Sequence, residues 1–242
     1  MNYKKNIAAF KALAKRPKPK AIIFDWDNTL VDTWPLIHAA INATMIAMKK
    51  EEWSLKKVQD NIHKAMRDSF PEIFGDNWQE AGEIYVNTYR SINLDRLKFL
   101  PDALNFINKL QEKNITQFVV SNKIGTTLRR EAKKLNVDEK FFALIGSHDA
   151  NADKPNKAPV ELALLGSNLD PKKDEIWFVG DTIADVNCAY NTHCQPIIYG
   201  HQDGISKTIP QEIYENGREG KGAIALFFDY RDFIDLIEKY FS

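Results

Sequence analysis

Short apolar runs alternate with amphipathic segments from about residue 100 onward. The runs predict strands, because they are short and bounded by polar residues, and the segments between them carry apolar residues at helical spacing. Such alternation through short connections is typical of an α/β fold with a parallel sheet covered by helices on both faces. The predicted strands are residues 21–24, 115–120, 141–145, 175–179 and 196–199, and the predicted helices are residues 125–135, 159–165, 183–190 and one capped by Asp102.

Residues 32–98 have a different pattern. Apolar residues recur there at helical spacing in three stretches, and no convincing strand separates them. This pattern predicts a small insert of about four helices, folded over the edge of the sheet. The predicted organisation is a basic extension or helix at 1–20, a sheet-containing core from 21–31 and 99–242, and a helical cap at 32–98, with a surface loop at 200–224 and a closing helix at 227–241.

The overall composition is that of an ordinary globular protein, with 44% hydrophobic and 27% charged residues among 242. Lys+Arg and Asp+Glu are 33 each, so the net charge of zero gives no argument for nucleic acid or for an anionic membrane as partner. No apolar run approaches the ~20 residues that span a bilayer. Two cysteines, Cys188 and Cys194, provide no disulfide framework, and we expect packing cysteines and a cytoplasmic protein.

The first twenty residues differ from this balance, because they hold seven basic residues and no acidic one. Ile7, Phe10 and Leu13 form a thin apolar stripe at helical spacing. The pattern favours an amphipathic helix that docks beside the core and ends before Pro17 and Pro19. A transit peptide or a weak membrane-surface helix is the alternative.

Two carboxylates follow the first predicted strand. Asp25 and Asp27 come directly after residues 21–24, and Thr29 completes the pattern D-x-D-x-T. Like charges at the end of a buried strand destabilise it unless a cation lies between them. An attacking carboxylate, a neighbour that transfers protons and a divalent metal would explain this spacing. The alternative is a strand end followed by an Asx-turn.

Polar side chains also follow the later strands. Ser121 and Asn122 come after one strand, Lys154 lies in the loop after the next, and Asp181 and Asp185 come after a third. The carboxyl ends of parallel strands open on one crevice, so these side chains are expected to meet there. Each residue alone has an ordinary structural explanation, but their joint occurrence favours a common site.

Four motifs occur in order between residues 21 and 200, namely DWDNTL, VVSNK, K-P-x-x-x-P and GDTIAD. In these motifs the chain resembles the haloacid dehalogenase superfamily, specifically its phosphatase branch. The helical insert between the first two motifs is similar to the cap of the subgroup that contains phosphoglycolate phosphatases and beta-phosphoglucomutases. The resemblance implies a Rossmann-like core and a magnesium-dependent mechanism that passes through an aspartyl phosphate.

The resemblance also implies roles for the motif residues. Asp25 would be the nucleophile, and Asp27 would protonate the leaving alcohol and later activate water. Mg²⁺ would be bound by the carboxylates of Asp25 and Asp181 and by the backbone carbonyl of Asp27, which leaves the Asp27 side chain free. Lys154 would stabilise the transferring phosphoryl group by its fixed charge.

The remaining residues of the motifs have supporting roles. Ser121 and the amide of Asn122 would donate hydrogen bonds to the phosphate, and Thr29 would support the first motif. Asp185 would hold Lys154 in place or orient the metal shell through water. Asn28 replaces a glycine of many relatives, and because asparagine tolerates a positive φ the tight turn is expected to survive.

The predicted function is hydrolysis of a small phosphomonoester, such as phosphoglycolate or a sugar phosphate, under a cap that closes over the cleft. The alternatives are a phosphomutase of the beta-phosphoglucomutase type and a non-catalytic phosphate- and metal-binding regulatory protein. A dehalogenase is disfavoured because Asp27 and Thr29 serve phosphate chemistry. Arg67, Arg90 and His63 are candidate cap contacts to the substrate, with surface salt bridges as the alternative, and the oligomeric state is left open.

Overall fold

The structure is a computed structural model that describes residues 13–62, 66–92, 94–200, 209–211 and 225–241. Its centre is a six-stranded sheet in the order β5-β4-β1-β6-β7-β8, and every neighbouring pair in it is parallel. The predicted α/β class with a parallel sheet is therefore confirmed. The described strands are β1 (Ala21–Phe24), β2 (Val31–Asp32), β3 (Lys98–Phe99), β4 (Thr116–Ile124), β5 (Ala143–Ser147), β6 (Ile176–Gly180), β7 (Gln195–Tyr199) and β8 (Ala225–Phe227).

Helices connect these strands and cover both faces of the sheet. Helices α5 to α8 lie between consecutive strands of the sheet, as expected for crossover connections. The described α-helices are α1 (Trp34–Ala47), α2 (Leu55–Asn61), α3 (Met66–Phe74), α4 (Trp78–Ser91), α5 (Ala103–Glu112), α6 (Gly125–Lys134), α7 (Ala158–Leu164), α8 (Ile183–Asn191) and α9 (Tyr230–Tyr240).

Strand β1 explains why the sheet must be covered on both faces. All four of its side chains are buried. Ile22 and Phe24 belong to one hydrophobic cluster, whereas Ala21 and Ile23 belong to another on the opposite face. Successive residues of a strand point to opposite faces, so a continuous apolar run requires apolar partners on both sides.

Several predicted boundaries differ from the structure. Strand β8 was not predicted: it lies between the predicted loop at 200–224 and the closing helix predicted from residue 227, and a run as short as Ala225–Phe227 gives no strand period of its own. The small antiparallel pair of β2 and β3 was also not predicted. Strand β4 extends to Ile124, so Ser121 and Asn122 lie inside it, beside an irregularity in its pairing with β5.

Asp102 does not cap α5 as the sequence predicted. It occupies the N-cap position, but its φ is 59°, in the left-handed region, and its side chain makes no cap hydrogen bond. Capping requires an extended N-cap residue whose side chain reaches back to the first turn. The Asp102 carboxylate instead pairs with Arg231 at 3.0 Å.

Helices α1 to α4 form a separate helical layer between β2 and β3. Helix α4 packs on α1 and α3, and α2 packs on α1. Because β2 pairs with β3, the chain enters and leaves this layer at the same place. The division of the chain at residues 32 and 98 stays a prediction, which this geometry supports.

The N-terminal segment is described only from Leu13 onward, and residues 1–12 of the predicted basic helix lie outside the described residues. Leu13 is buried in the main hydrophobic cluster. Arg16 pairs with Glu175, and Lys20 pairs with Asp174 at 2.6 Å. The described end of the segment thus docks beside β6. Within the described residues, no helix is long and apolar enough to cross a membrane.

Candidate active site

The predicted site residues meet at the carboxyl edge of the central strands. Strand β1 lies between β4 and β6, so the residues that follow β1 face those at the ends of its two neighbours. A cavity of about 160 Å³ opens at this edge between the sheet and helices α1 to α4. Its sheet side is lined by Asp25, Asp27, Asn28, Ser121, Asn122, Lys123, Ile124, Thr127, Lys154, Asp181 and Thr182.

Lys154 lies at the centre of the site between two carboxylates. Its Nζ donates to Asp25 Oδ1 and to Asp185 Oδ1, each at 2.7 Å. All three side chains are buried, that of Lys154 to 2% exposure. Burial lowers the pKa of Lys154, but the adjacent carboxylates of Asp185 and Asp25 outweigh that effect and raise it. Lys154 therefore keeps a fixed positive charge inside the protein.

Three buried carboxylates form a cluster of hard oxygen atoms. Asp25, Asp181 and Asp185 each offer one oxygen, and these oxygens lie within 4.8 Å of one another. Burial raises the pKa of Asp25 to about 7, helped by the charges of Asp185, Asp181 and Asp27 and opposed by Lys154. A dication beside these oxygens would favour the ionised carboxylates. This oxygen-only donor set fits Mg²⁺, which prefers carboxylate ligands.

Asp185 is held in place by the start of α8. Its Oδ2 accepts hydrogen bonds from the backbone N–H of Thr182 at 2.9 Å and from the Thr182 hydroxyl at 2.6 Å. Its other oxygen contacts Lys154. Gly180 makes this approach possible, because a Cβ at position 180 would lie 2.3 Å from Asp185 Cγ. Both oxygens of Asp185 are thus engaged by the protein, which suits it for positioning Lys154.

Asn122 and Ser121 lie beside the same lysine. The Asn122 side chain accepts from the backbone N–H of Lys154 at 2.9 Å and donates to its carbonyl at 3.1 Å. Both polar groups of this side-chain amide therefore hold the loop that carries Lys154, here called the lysine loop, against β4. Ser121 is buried, and its hydroxyl accepts from the backbone N–H of Lys123 at 3.3 Å.

The turn after β1 is fixed by two buried polar residues. Asn28 has a φ of 58°, which confirms the expected left-handed turn, and its side chain accepts from the backbone N–H of Thr33 at 3.2 Å. The hydroxyl of Thr29 donates to Asp181 Oδ1 at 3.3 Å. The carbonyl of Thr29 accepts from the Tyr230 hydroxyl at 2.7 Å, which ties the turn to α9.

Comparison with known proteins shows the family to which this chain belongs. Residues 22–198 match the family described as haloacid dehalogenase-like hydrolase. The chain belongs to this family. The resemblance predicted from the motifs, and the prediction that the protein is a hydrolase, are thereby confirmed.

Individual members of the haloacid dehalogenase-like family are distant relatives. A phosphoglycolate phosphatase of Aquifex aeolicus is 29% identical over 69% of this chain and 78% of its own length. A pyrophosphatase PpaX of Halalkalibacterium halodurans is 26% identical over 74% of this chain and 83% of its own. The crystal structure of a hydrolase of the superfamily from Ehrlichia chaffeensis has a TM-score of 0.64 at 30% identity, and it covers 94% of this chain and 100% of its own.

Lys123 belongs to the site, although the sequence analysis did not single it out. Its Nζ donates to Asp27 Oδ1 at 2.7 Å, so the Asp27 side chain is ion-paired with Lys123. Lys123 also lies 3.4 Å from Glu131, and its side chain is only 6% exposed. Burial lowers the pKa of Lys123, but Asp27 and Glu131 outweigh burial and raise it well above its usual value.

Glu131 anchors this second lysine from helix α6. The residue is fully buried. Its carboxylate accepts from Trp26 Nε1 at 2.8 Å and from the Tyr89 hydroxyl at 2.8 Å. Burial raises the pKa of Glu131, although Lys123 opposes this effect. Lys123 could have been found from the sequence, because it directly follows Ser121 and Asn122 in the second motif. No motif or local pattern marks Glu131.

The three candidate cap contacts do not form a cationic pocket in the described residues. Arg67 pairs with Asp153, directly before Lys154, and thus joins α3 to the lysine loop. The side chain of Arg90 is exposed, and its backbone carbonyl accepts from Arg130. His63 lies outside the described residues.

Proposed function

We propose that this protein is a magnesium-dependent phosphatase that hydrolyses a small phosphomonoester through an aspartyl-phosphate intermediate. The observation that carries the proposal is the buried cluster in which Lys154 bridges Asp25 and Asp185 while Asp181 faces the same point. A buried cation and a set of oxygen ligands next to a carboxylate suit the transfer of a dianionic phosphoryl group.

In the proposed first step, a carboxylate oxygen of Asp25 attacks phosphorus opposite the ester oxygen. The bond from phosphorus to the ester oxygen breaks with its electron pair, and the departing alkoxide takes a proton from Asp27. Lys154 stabilises the charge on the phosphoryl oxygens. Mg²⁺, held by Asp25, Asp181 and the carbonyl of Asp27, would screen the repulsion between the carboxylate and the phosphate dianion when bound.

In the proposed second step, Asp27 takes a proton from water, and the resulting hydroxide attacks the phosphorus of the acyl phosphate. The bond from phosphorus to the Asp25 oxygen breaks, which releases inorganic phosphate and restores the Asp25 carboxylate, and Asp27 is left in the protonated form with which the first step began. Lys123 positions the Asp27 side chain through its 2.7 Å contact in both steps.

The family resemblance and the names of the relatives bear on the substrate. Phosphoglycolate and sugar phosphates are the substrates that the resemblance implies, and the relatives are named phosphoglycolate phosphatase and pyrophosphatase. The alternatives are a phosphomutase, which would return the phosphoryl group to a sugar, and a regulatory protein that binds without turnover. A cytoplasmic location stays a prediction of the composition.

The experiment is phosphate release from acetyl phosphate and p-nitrophenyl phosphate with Mg²⁺, with and without EDTA. We expect turnover that requires the metal and is lost in Asp25→Asn. Asp170→Asn, an aspartate outside the cavity lining, is the matched control and should keep activity. Full activity of Asp25→Asn would exclude the aspartyl-phosphate mechanism, and a requirement for a sugar bisphosphate would favour the mutase.

A further inference from the structure

The wall of the cavity opposite the carboxylates is apolar. It is formed by helices α1 to α4 and carries Trp34, Ile62, Met66, Phe70, Tyr85 and Val86. Two polar residues, Gln59 and Ser69, interrupt it. At about 160 Å³ the cavity is compact, since an enclosed apolar cavity of about 150 Å³ takes one benzene molecule.

This wall faces the leaving group of the substrate. In the proposed function, which this inference extends, Asp27 protonates the leaving alcohol, so the alcohol must lie next to Asp27. Asp27 contacts Lys123, and the Lys123 ammonium lies 4.6 Å from the centre of the Tyr89 ring. The rings of Tyr89 and Tyr85 are 5.9 Å apart, and those of Tyr85 and Phe70 are 5.4 Å apart.

Tyr89, Tyr85 and Phe70 thus form a row of packed aromatic rings, here called the aromatic row. It begins next to Asp27, the proposed proton donor, and continues along α4 and α3. Aromatic side chains packed on one another present a stiff surface that favours apolar partners. A leaving group that extends from Asp27 meets this surface before it meets solvent.

The described part of the cavity lining offers no unpaired cation to a charged leaving group. The cations there are Lys123 and Lys154, and each is already ion-paired with two carboxylates. A carboxylate or a second phosphate of the substrate would lose its hydration against the aromatic row, where the described lining offers only these two paired cations. Burying an unpaired charge is costly, whereas burying an apolar group is favourable.

We propose that the substrate is the phosphomonoester of a small, uncharged, largely apolar alcohol, either alkyl or aromatic. The core of the site binds the phosphoryl group, and the aromatic row selects the alcohol. Phosphoglycolate and pyrophosphate, which place negative charge on the leaving group, are disfavoured.

The first test compares isobutyl phosphate with phosphoglycolate. The two esters have the same number of non-hydrogen atoms beyond phosphorus and differ in whether the leaving group ends in methyl groups or in a carboxylate. We expect kcat/KM of the wild-type protein with Mg²⁺ to be at least tenfold higher for isobutyl phosphate. An equal or higher value for phosphoglycolate would overturn the inference.

A second test introduces a positive charge into the apolar wall. Gln59→Lys places an ammonium in the apolar wall, and Gln59→Met is the matched control because all three side chains are unbranched. We expect Gln59→Lys to shift the ratio of the two kcat/KM values at least tenfold toward phosphoglycolate, whereas Gln59→Met, which keeps the wall uncharged, causes no shift in that direction. If Gln59→Lys does not fold, as judged by thermal melting, Val86→Lys replaces it, with Val86→Met as its control.

These outcomes separate this inference from the proposed function. Turnover of both esters with phosphoglycolate preferred overturns the inference alone. If Gln59→Lys leaves the ratio of the two kcat/KM values unchanged, the inference alone is again overturned, because the wall would then not contact the leaving group. Failure to turn over either ester or acetyl phosphate overturns the proposed function and this inference with it.

Discussion

Two buried lysines, each held between two carboxylates, line the same cavity. Lys154 contacts Asp25 and Asp185, and all three residues belong to the sheet and its connecting segments. Lys123 contacts Asp27, with Glu131 at 3.4 Å, and its Nζ also donates to the Tyr89 hydroxyl of α4 at 3.1 Å. The first cluster is complete within the core, whereas the second needs the helical layer.

The two clusters therefore have different roles in the proposed mechanism. In the proposed mechanism, the charges that meet the phosphoryl group lie at the sheet edge and are not contributed by helices α1 to α4. The proposed proton donor, Asp27, is instead coupled through Lys123 to Tyr89 of that helical layer. A movement of the layer would thus alter the neighbours of Asp27 and leave those of Asp25 in place.

The largest expected effect is that of Lys154→Met. This change removes the fixed charge beside the phosphoryl group, and we expect kcat to fall by about 10²–10³-fold, as for the loss of one preorganised donor elsewhere. Steady-state phosphate release measures it, with the exposed Lys173→Met as control. A loss smaller than tenfold would mean that Lys154 does not contact the transferring group.

Lys123→Met is expected to have a smaller effect on catalysis. Asp27 keeps its carboxylate but loses the contact that positions it, and a misplacement of about 1 Å can cost about 10² in rate, so we expect a fall of about 10–10²-fold. The same assay should show a fall in kcat with little change in KM. A loss as large as that of Lys154→Met would contradict the division between the two clusters, because Lys123 would then act on the phosphoryl group itself.

Tyr89→Phe tests the link to the helical layer through stability. It removes the hydroxyl that donates to Glu131 at 2.8 Å, and we expect the free energy of unfolding to fall by about 1–2 kcal/mol. Urea denaturation of double variants sharpens the comparison. Tyr89→Phe should be non-additive with Lys123→Met by at least about 0.5 kcal/mol and nearly additive with Lys154→Met, with which it shares no partner. Equal coupling to both lysines would argue against two separate clusters.

The smallest effect is expected at a partly exposed pair that serves as a reference for the buried ones. Asp149 accepts from Arg129 and from the backbone N–H of Gly146. Burial acts to raise the pKa of Asp149, but these hydrogen bonds outweigh it and lower the pKa below its ordinary value. We expect Asp149→Asn to lower the free energy of unfolding by about 1 kcal/mol at pH 7.

The sign of the pH dependence at Asp149 follows from that depressed pKa. The stabilisation is fully present above the unfolded-state pKa of about 3.9 and is lost as the pH falls through the lower folded-state value. Denaturation curves of the wild type and of Asp149→Asn should therefore converge below about pH 4. A difference that grows on acidification would show that the pair does not stabilise the native state.

The sequence by itself determined the order of most strands and helices along the chain and which polar residues lie at the carboxyl edge of the sheet. Asp25, Ser121 and Asp181 were readable because each follows an apolar run directly, and in a parallel sheet that local position also fixes the place in space. The short strand β8 and the left-handed conformation of Asp102 were missed, because neither gives a periodic signal.

Only the tertiary structure decided how the polar residues pair. Lys123 and Asp27 are 96 positions apart, and Tyr89 and Glu131 are 42 apart, so no local pattern marks either contact. The hydrogen bonds of Asn122 to the lysine loop also join residues far apart in the sequence. The same holds for the placement of the aromatic row opposite the carboxylates. Such contacts depend on how separate elements pack, and hydrophobic periodicity specifies which face of a helix is buried but not which polar group it meets.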